Sequence, residues 1–313
     1  MSLKAAIRNV INRNATTHRW FVALCARFTM RLYNFQSYLS IEDLRAKRRA
    51  TLWRQFLALM GRPNLEKVVI AGGRATFHYT DGCAFHASES STSISSTQYS
   101  HGDYEAHETR IMAEVVQPGW TVVDAGANFG WYAIHLARWV GPGGRVLAFE
   151  PIPASFGELT DNTLLNGCGN LRNFPMALGG EDGMISLYLP SSHLGAGAAS
   201  QFLDMGEKVP VPMKRLDTLL EAEGVAHVDF LKADIEGGEL NLLRGAQGLL
   251  ARCHPAILIE IVDIHCRRFG HGPEDVIGFL AGFGYKGRYI DGNGSLVGYD
   301  PAKAPNGNYL FQA

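Results

Sequence analysis

The chain has 313 residues, 46% of them hydrophobic, with a net charge of −1. That suffices for one large α/β domain with an N-terminal extension, or for two domains. Its five cysteines (Cys25, Cys83, Cys168, Cys253 and Cys266) are scattered and lack C-x-x-C spacing, which argues against a disulfide framework or a zinc site. No apolar run approaches the roughly 18 to 20 residues that span a bilayer.

The small net charge hides a division. Residues 1 to 62 carry 12 Lys and Arg against Glu42 and Asp43, a net of +10, and the remainder carries 17 basic against 28 acidic residues, a net of −11. Residues 3 to 60 are expected to be helical, with Leu52, Phe56 and Leu59 on one face and Arg45, Lys47, Arg48 and Arg49 free to face solvent. Residues 1–62 therefore read as a basic amphipathic extension. It would pack on the rest of the chain, on a second subunit in a homo-oligomer, or against an anionic membrane surface or lipid-linked substrate at the membrane periphery. Nucleic acid is not expected as a partner, because the basic residues lack a recognition motif and the main domain is acidic. Trp20–Ala26 is short, is followed by Arg27 and lacks a cleavage site, so secretion is not expected; the scattered cysteines fit a reducing, cytoplasmic setting, and the acid-free first 41 residues leave an organelle-targeting peptide as the alternative.

Residues 63–102 form the next unit. Lys67 to Tyr79 reads as a hairpin turning at Gly72-Gly73, and Ser88 to Ser96 as a Ser/Thr-rich loop. From 103 to 313 strand and helix patterns alternate. Strands are predicted at 121–124, 145–149, 171–176, 229–234 and 256–262, and helices near 104–116, 130–140, 154–166, 215–223, 237–250 and 273–282. The alternation predicts a mostly parallel sheet with helices on both faces. Between the third and fourth strands, Met184–Leu189 and Val209–Met213 are expected to add short strands, with Gly195–Ala199 as a flexible run. Pro210 and Pro212 argue against a central strand there.

The motif richest in chemistry is Thr121-Val-Val-Asp-Ala-Gly-Ala-Asn-Phe-Gly-Trp-Tyr132, followed by Arg145-Val-Leu-Ala-Phe-Glu-Pro151. A β-branched strand ends in Asp124, Gly126 and Gly130 allow a tight turn, and Glu150 closes the next strand where a carboxylate can accept hydrogen bonds from two ribose hydroxyls. The spacing D-x-G-x-x-x-G is looser than the glycine fingerprint of pyrophosphate sites, and Asp124 and Asn128 place polar groups where a pyrophosphate prefers bare amides. A positively charged ligand without phosphates fits better, and S-adenosylmethionine is one.

VVDAGANFGWY, FEPIPASFGELTDNTLLNG, RLDTLL and FLKADIEGGELNLLRGA, in that order, resemble the FkbM family of S-adenosylmethionine-dependent methyltransferases over about residues 104 to 285. The resemblance implies the class I methyltransferase fold. This is a Rossmann-like, mostly parallel seven-stranded sheet with one antiparallel strand near an edge, for which Tyr285–Ile290 and Asn308–Phe311 could supply the last hairpin. By the same resemblance, Asp124, Gly126, Asn128 and Gly130 would hold the methionine portion, Glu150 the ribose, and backbone near Ala177-Leu178 the adenine.

Asp234-Ile-Glu-Gly-Gly-Glu239 lies where the fourth strand ends, at the crevice where open α/β sheets bind ligands. Asp234 and Glu236 would point the same way from extended backbone, with Asp234 toward the cofactor. The alternative is that Asp234 caps a helix and Glu239 serves as a first-turn carboxylate. Glu260, within the apolar run Ala256–Val262, needs a partner or a site to offset its burial. Asp263 to His271 is expected to be a loop walling a substrate pocket.

Glu236, Glu260 and His265 are the candidate catalytic bases. Asp234, Glu236 and Glu260 could instead gather Mg²⁺ through hard oxygen ligands. The expected activity is O-methylation of a hydroxyl, with a sugar of a glycan, glycolipid or glycosylated natural product as the acceptor implied by the resemblance. The rival readings are an NAD-dependent oxidoreductase and a non-catalytic binding protein with a methyltransferase-like shell.

Overall fold

A computed structural model describes residues 64–71, 74–87, 105–189, 207–300 and 304–313. The basic extension, the turn at residues 72 and 73, the Ser/Thr-rich loop and the run 195–199 lie outside the described residues.

The predicted hairpin is a three-stranded antiparallel sheet: β1 (Leu65–Ala71), β2 (Arg74–Tyr79) and a third strand not anticipated, β3 (Ala84–Ala87). After α1 (Ala106–Val115), the alternating region runs β4 (Thr121–Ala125), α2 (Trp131–Val140), β5 (Arg145–Phe149), α3 (Pro153–Leu165), β6 (Leu171–Phe174) and β7 (Ala177–Leu178). It continues through β8 (Gly183–Leu189), β9 (Glu207–Lys214), α4 (Leu216–Ala222), β10 (Phe230–Ala233), α5 (Glu239–Arg244), α6 (Gln247–Cys253) and β11 (Ala256–Ile261). The last elements are α7 (Asp263–Arg268), α8 (Pro273–Ala281), β12 (Lys286–Ile290), β13 (Leu296–Val297) and β14 (Gly307–Gln312).

The main sheet has the order β13-β12-β14-β11-β10-β4-β5-β6. The five strands from β11 to β6 run parallel, while β14 is antiparallel to both β11 and β12. This is the class I methyltransferase arrangement, with eight strands rather than seven because the two-residue β13 extends the edge. Alternate residues of each central strand enter opposite cores. Val122, Val146, Phe230 and Leu258 face one layer, and Val123, Leu147, Leu231 and Ile257 the other.

Three expectations need correction. The helix predicted over 237–250 is two helices broken at Gly245-Ala246, and the wall predicted as a loop over 263–271 begins with helix α7. Pro210 and Pro212 do lie in a central strand, because β9 is the middle of a small sheet ordered β7-β9-β8. They are tolerated there because β7 reaches only Met213 and Lys214, leaving the strand upstream with no partner on that side among the described residues.

Helix α2 is buried almost all round, with eight of its ten residues in the core, because it is clamped between the main sheet and the β1–β3 sheet. Two asparagines one turn apart, Asn162 on α3 and Asn166 at its C-cap, secure that clamp by acting as a strand partner for the edge of β3. Asn162 Oδ1 accepts the His86 amide at 2.8 Å, and Asn166 Oδ1 accepts the Ala84 amide at 2.8 Å while its Nδ2 donates to the Ala84 carbonyl at 2.6 Å. Asn162 is fully buried and its Nδ2 also donates to Phe129 O, tying the edge to the turn after β4. Asn162→Ala orphans one donor and one acceptor at once, so we expect it to lower stability by about 2 to 4 kcal/mol in urea unfolding. A loss under about 0.5 kcal/mol, the scale of an ordinary surface substitution, would remove the asparagine clamp from the account.

Candidate active site

A cavity of about 270 Å³ opens at the carboxyl ends of β4, β5 and β10, where the chain departs from β4 in opposite directions across the sheet. The tight approach of the two loops there depends on Gly126. Its φ is +78°, and a Cβ would lie 1.9 Å from the Asp234 carbonyl oxygen, so any other residue would force the loops after β4 and β10 apart. The β7–β9 sheet closes one end with Ala177, Leu178, Ile185, Leu187 and Met213, an apolar slot.

Glu150 stands near that slot, 6% exposed, with its carboxylate already oriented. Oε2 accepts the Asn128 amide and Oε1 the Ile152 amide, both at 2.9 Å, which leaves one acceptor position on each oxygen for a ligand. Burial pushes its pKa up to about 7, against the lowering effect of those two amides. Asn128 thus contributes its backbone amide, presented from a left-handed turn with φ 49°.

The centre of the site is Lys232, buried in the otherwise apolar strand Phe230-Leu-Lys-Ala233. Its Nζ donates to Gly126 O at 3.1 Å, lies 3.5 Å from Asp124 Oδ1 and 3.7 Å from Asp234 Oδ2, and sits 5.0 Å from the centre of the Tyr132 ring. Burial alone would lower the ammonium's pKa, but Asp124, Asp234 and Glu105 outweigh it and hold the group charged. The Tyr132 hydroxyl donates to Glu105 Oε2. Burial and then the charge of Asp234 push Glu105 up to about 7.

Asp124 does not line the cavity: it is fully buried beneath it, beside Lys232, and its pKa is raised by that burial despite the ammonium. Its place beside Lys232 makes it a counter-charge rather than a contact group. Gly130 begins α2 and is likewise off the cavity wall. Gly126, Asn128, Glu150, Ala177, Leu178 and Asp234 all line it.

At the other end the cavity is walled by Glu236, Glu260 and His265. Glu236 is not on extended backbone as expected but in a left-handed turn with φ 57°, and it still reaches the cavity beside Asp234. Burial, followed by the charges of Asp234 and Glu239, raises Glu236 to about 7. Burial and the neighbouring acids raise Glu260 further, while burial and Arg268 lower His265. Glu239 plays a structural part, its Oε1 accepting the Ile235 amide at 2.9 Å and the Gly237 amide at 3.2 Å across the turn. Asp234, Glu236 and Glu260 are not gathered around one point as a Mg²⁺ set, since Asp234 turns toward Lys232.

Sequence reasoning missed Lys232, Glu105 and Tyr132. Lys232 carried the signal that singled out Glu260, a lone charge in a buried strand. Glu105 and Tyr132 carried none, because their pairing depends on how α1 and α2 cross. Among the described residues no helix is long and apolar enough to cross a membrane.

Residues 124–286 match the family model described as Methyltransferase FkbM domain, more than half of the chain. A protein named Methyltransferase 1 from Beauveria bassiana is 29% identical over 161 residues, 45% of this chain and 64% of that protein. The 31-O-demethyl-FK506 methyltransferase FkbM of Streptomyces tacrolimicus is 25% identical over 201 residues, 54% of this chain and 74% of its own. The hexuronic acid methyltransferase AglP of Haloferax volcanii is 27% identical over 172 residues, covering 55% and 66% respectively. The chain therefore spans less than two thirds of the first of these relatives. With the ordered motifs from Asp124 to Tyr285 on this sheet, and the matching model over the same stretch, the chain belongs to the FkbM methyltransferase family.

Proposed function

We propose that this protein is an S-adenosylmethionine-dependent O-methyltransferase acting on a hydroxyl, with a sugar or a glycosylated molecule as acceptor. The observation that carries the reading is one cavity whose two ends differ: an apolar slot beside an oriented carboxylate at one, and a Glu-Glu-His wall at the other. The residues fit the donor. Carboxylates outnumber Lys232 around the cavity, which favours a cation, and the cradle at Gly126 is one that a Cβ would fill. When bound, the donor supplies an electrophilic methyl and leaves as a neutral thioether.

The chain's own work is then to bind, orient and manage a proton. Glu150 accepts the ribose hydroxyls through its two remaining acceptor positions, and the β7–β9 slot receives the adenine. Asp234 and Glu105 face the methionine ammonium, with Lys232 Nζ 3.7 Å from Asp234 Oδ2. Near-attack placement supplies much of the acceleration, and loss of the hydroxyl proton during attack supplies more. That proton leaves toward Glu236, Glu260 and His265. The sugar acceptor draws support from the hexuronic acid relative, and the oxygen nucleophile from the 31-O-demethyl-FK506 relative.

Two outcomes are expected. By isothermal titration S-adenosylhomocysteine binds and NAD does not, and Glu150→Ala weakens that binding by about 1 to 3 kcal/mol as a buried charge-assisted contact is lost. Preferential NAD binding would overturn the donor, and unchanged affinity in Glu150→Ala would remove the ribose clamp. With labelled S-adenosylmethionine and uronic acid glycosides, label should enter an ether that survives mild base. Label released by mild base would indicate a carboxyl ester and contradict hydroxyl transfer.

A further inference from the structure

Three side chains from three different elements converge at the acceptor end: Glu236 from the turn after β10, Glu260 from β11 and His265 from α7. One donor atom of each lies within 4.8 Å of the others, two carboxylate oxygens and an imidazole nitrogen. His265 Nδ1 is 3.1 Å from Glu236 Oε2. That is the separation of neighbouring ligands set at right angles around an ion with bonds of about 2.2 Å, within the range of divalent metal sites.

A second observation points to a ligand rather than to mutual hydrogen bonding. His265 Nδ1 is shielded from solvent and, among the described residues, makes no hydrogen bond, even though the Glu236 oxygen is within reach. An imidazole nitrogen and a carboxylate oxygen this close but out of hydrogen-bond geometry are placed to share a cation. The spacing is also built into the backbone. Gly237 has φ +106°, and a Cβ there would lie 2.5 Å from the His265 carbonyl oxygen, so the turn bearing Glu236 is pressed onto the helix bearing His265. Asp234 and Glu239 add negative charge around the group, and Arg268 and Lys232 are opposing charges acting on Glu236.

We propose that Glu236, Glu260 and His265 form a binding site for a divalent transition cation, Mn²⁺ or Fe²⁺, that holds two adjacent oxygens of the methyl acceptor. The cation class follows from the donor set: an imidazole beside two carboxylates suits these ions better than the all-oxygen preference of Mg²⁺ or Ca²⁺. Three protein ligands leave octahedral positions open on the cavity side, where neighbouring hydroxyls, or a hydroxyl beside a carboxylate, chelate. The acceptor part of the inference rests on the O-methyl transfer reading, and the metal site does not; with the ion bound, the three residues would act on the acceptor proton as ligands of the ion rather than as free bases.

The test is titration of the full chain, stripped with chelator, with Mn²⁺ alone, reading the loss of the free-ion electron paramagnetic resonance signal. One equivalent binds in the wild type. Glu260→Gln and His265→Gln, each checked for an unchanged melting transition, weaken binding by at least about tenfold. Glu236→Gln is the substitute if either fails to fold. Asp234→Asn, which removes a nearby charge but no ligand, changes binding by less than about threefold, the size of a screened charge effect. No saturable uptake, or uptake indifferent to the ligand variants, overturns the site. Calorimetry with S-adenosylhomocysteine on the same metal-free protein separates the two readings. Homocysteine-nucleoside binding without Mn²⁺ uptake sinks only the metal, and Mn²⁺ uptake without it leaves the metal site standing and sinks the methyl donor.

Discussion

One buried ammonium stands among Asp124, Asp234 and Glu105 at the carboxyl edge of the sheet, and the rest of the site is arranged around that imbalance. A lysine in a central strand is tolerated only with charged partners, and here the partners exceed it. Glu150 and Glu236 extend the excess toward the two ends of the cavity. A protein that buries this much negative charge around one positive group holds a cavity at a potential that favours a cation. In the ligand-free protein burial, with the neighbouring acids adding to it, holds these glutamates near pH 7 rather than in the ordinary carboxylate range.

The fold supplies the rigidity that such an arrangement needs. Lys232 is fixed by parallel pairing of β10 with β4 and β11, and Gly126 lets the flanking loops approach until backbone meets backbone. The β1–β3 sheet presses α2, and with it Tyr132, toward the cavity from one side. The β7–β9 sheet roofs the other. Neither small sheet belongs to the main sheet, yet both hold side chains whose positions decide what the cavity accepts.

Much of the scaffold was legible because burial on both faces writes itself as short β-branched runs. β4, β5, β10 and β11 begin and end within a residue of where those runs do. Glu150 was legible because a carboxylate at a strand end twenty residues past Gly130 has a geometric reason to be there. α7 was not, since Asp-Ile-His-Cys-Arg-Arg is too short to show a helical apolar period, and its helical form depends on packing. Nor could spacing reveal that Asp124 is a buried counter-charge rather than a lining group, because that depends on Lys232 rising from the neighbouring strand. The Asn162 and Asn166 pair belongs to the same class. It was visible only as part of a family motif, and its role as a strand partner requires β3, which the hairpin signal did not include.

The cavity is a preformed anionic site. The most direct test of this is the titration of carbon-13-labelled glutamate side chains by nuclear magnetic resonance, assigned through Glu105→Gln and Glu150→Gln. In the ligand-free protein both carboxyls should titrate near pH 7, and both should move to lower pH when S-adenosylmethionine is added, since a bound cation stabilises the ionised form. Glutamates that all titrate near 4.5, with no change on adding the donor, would contradict it.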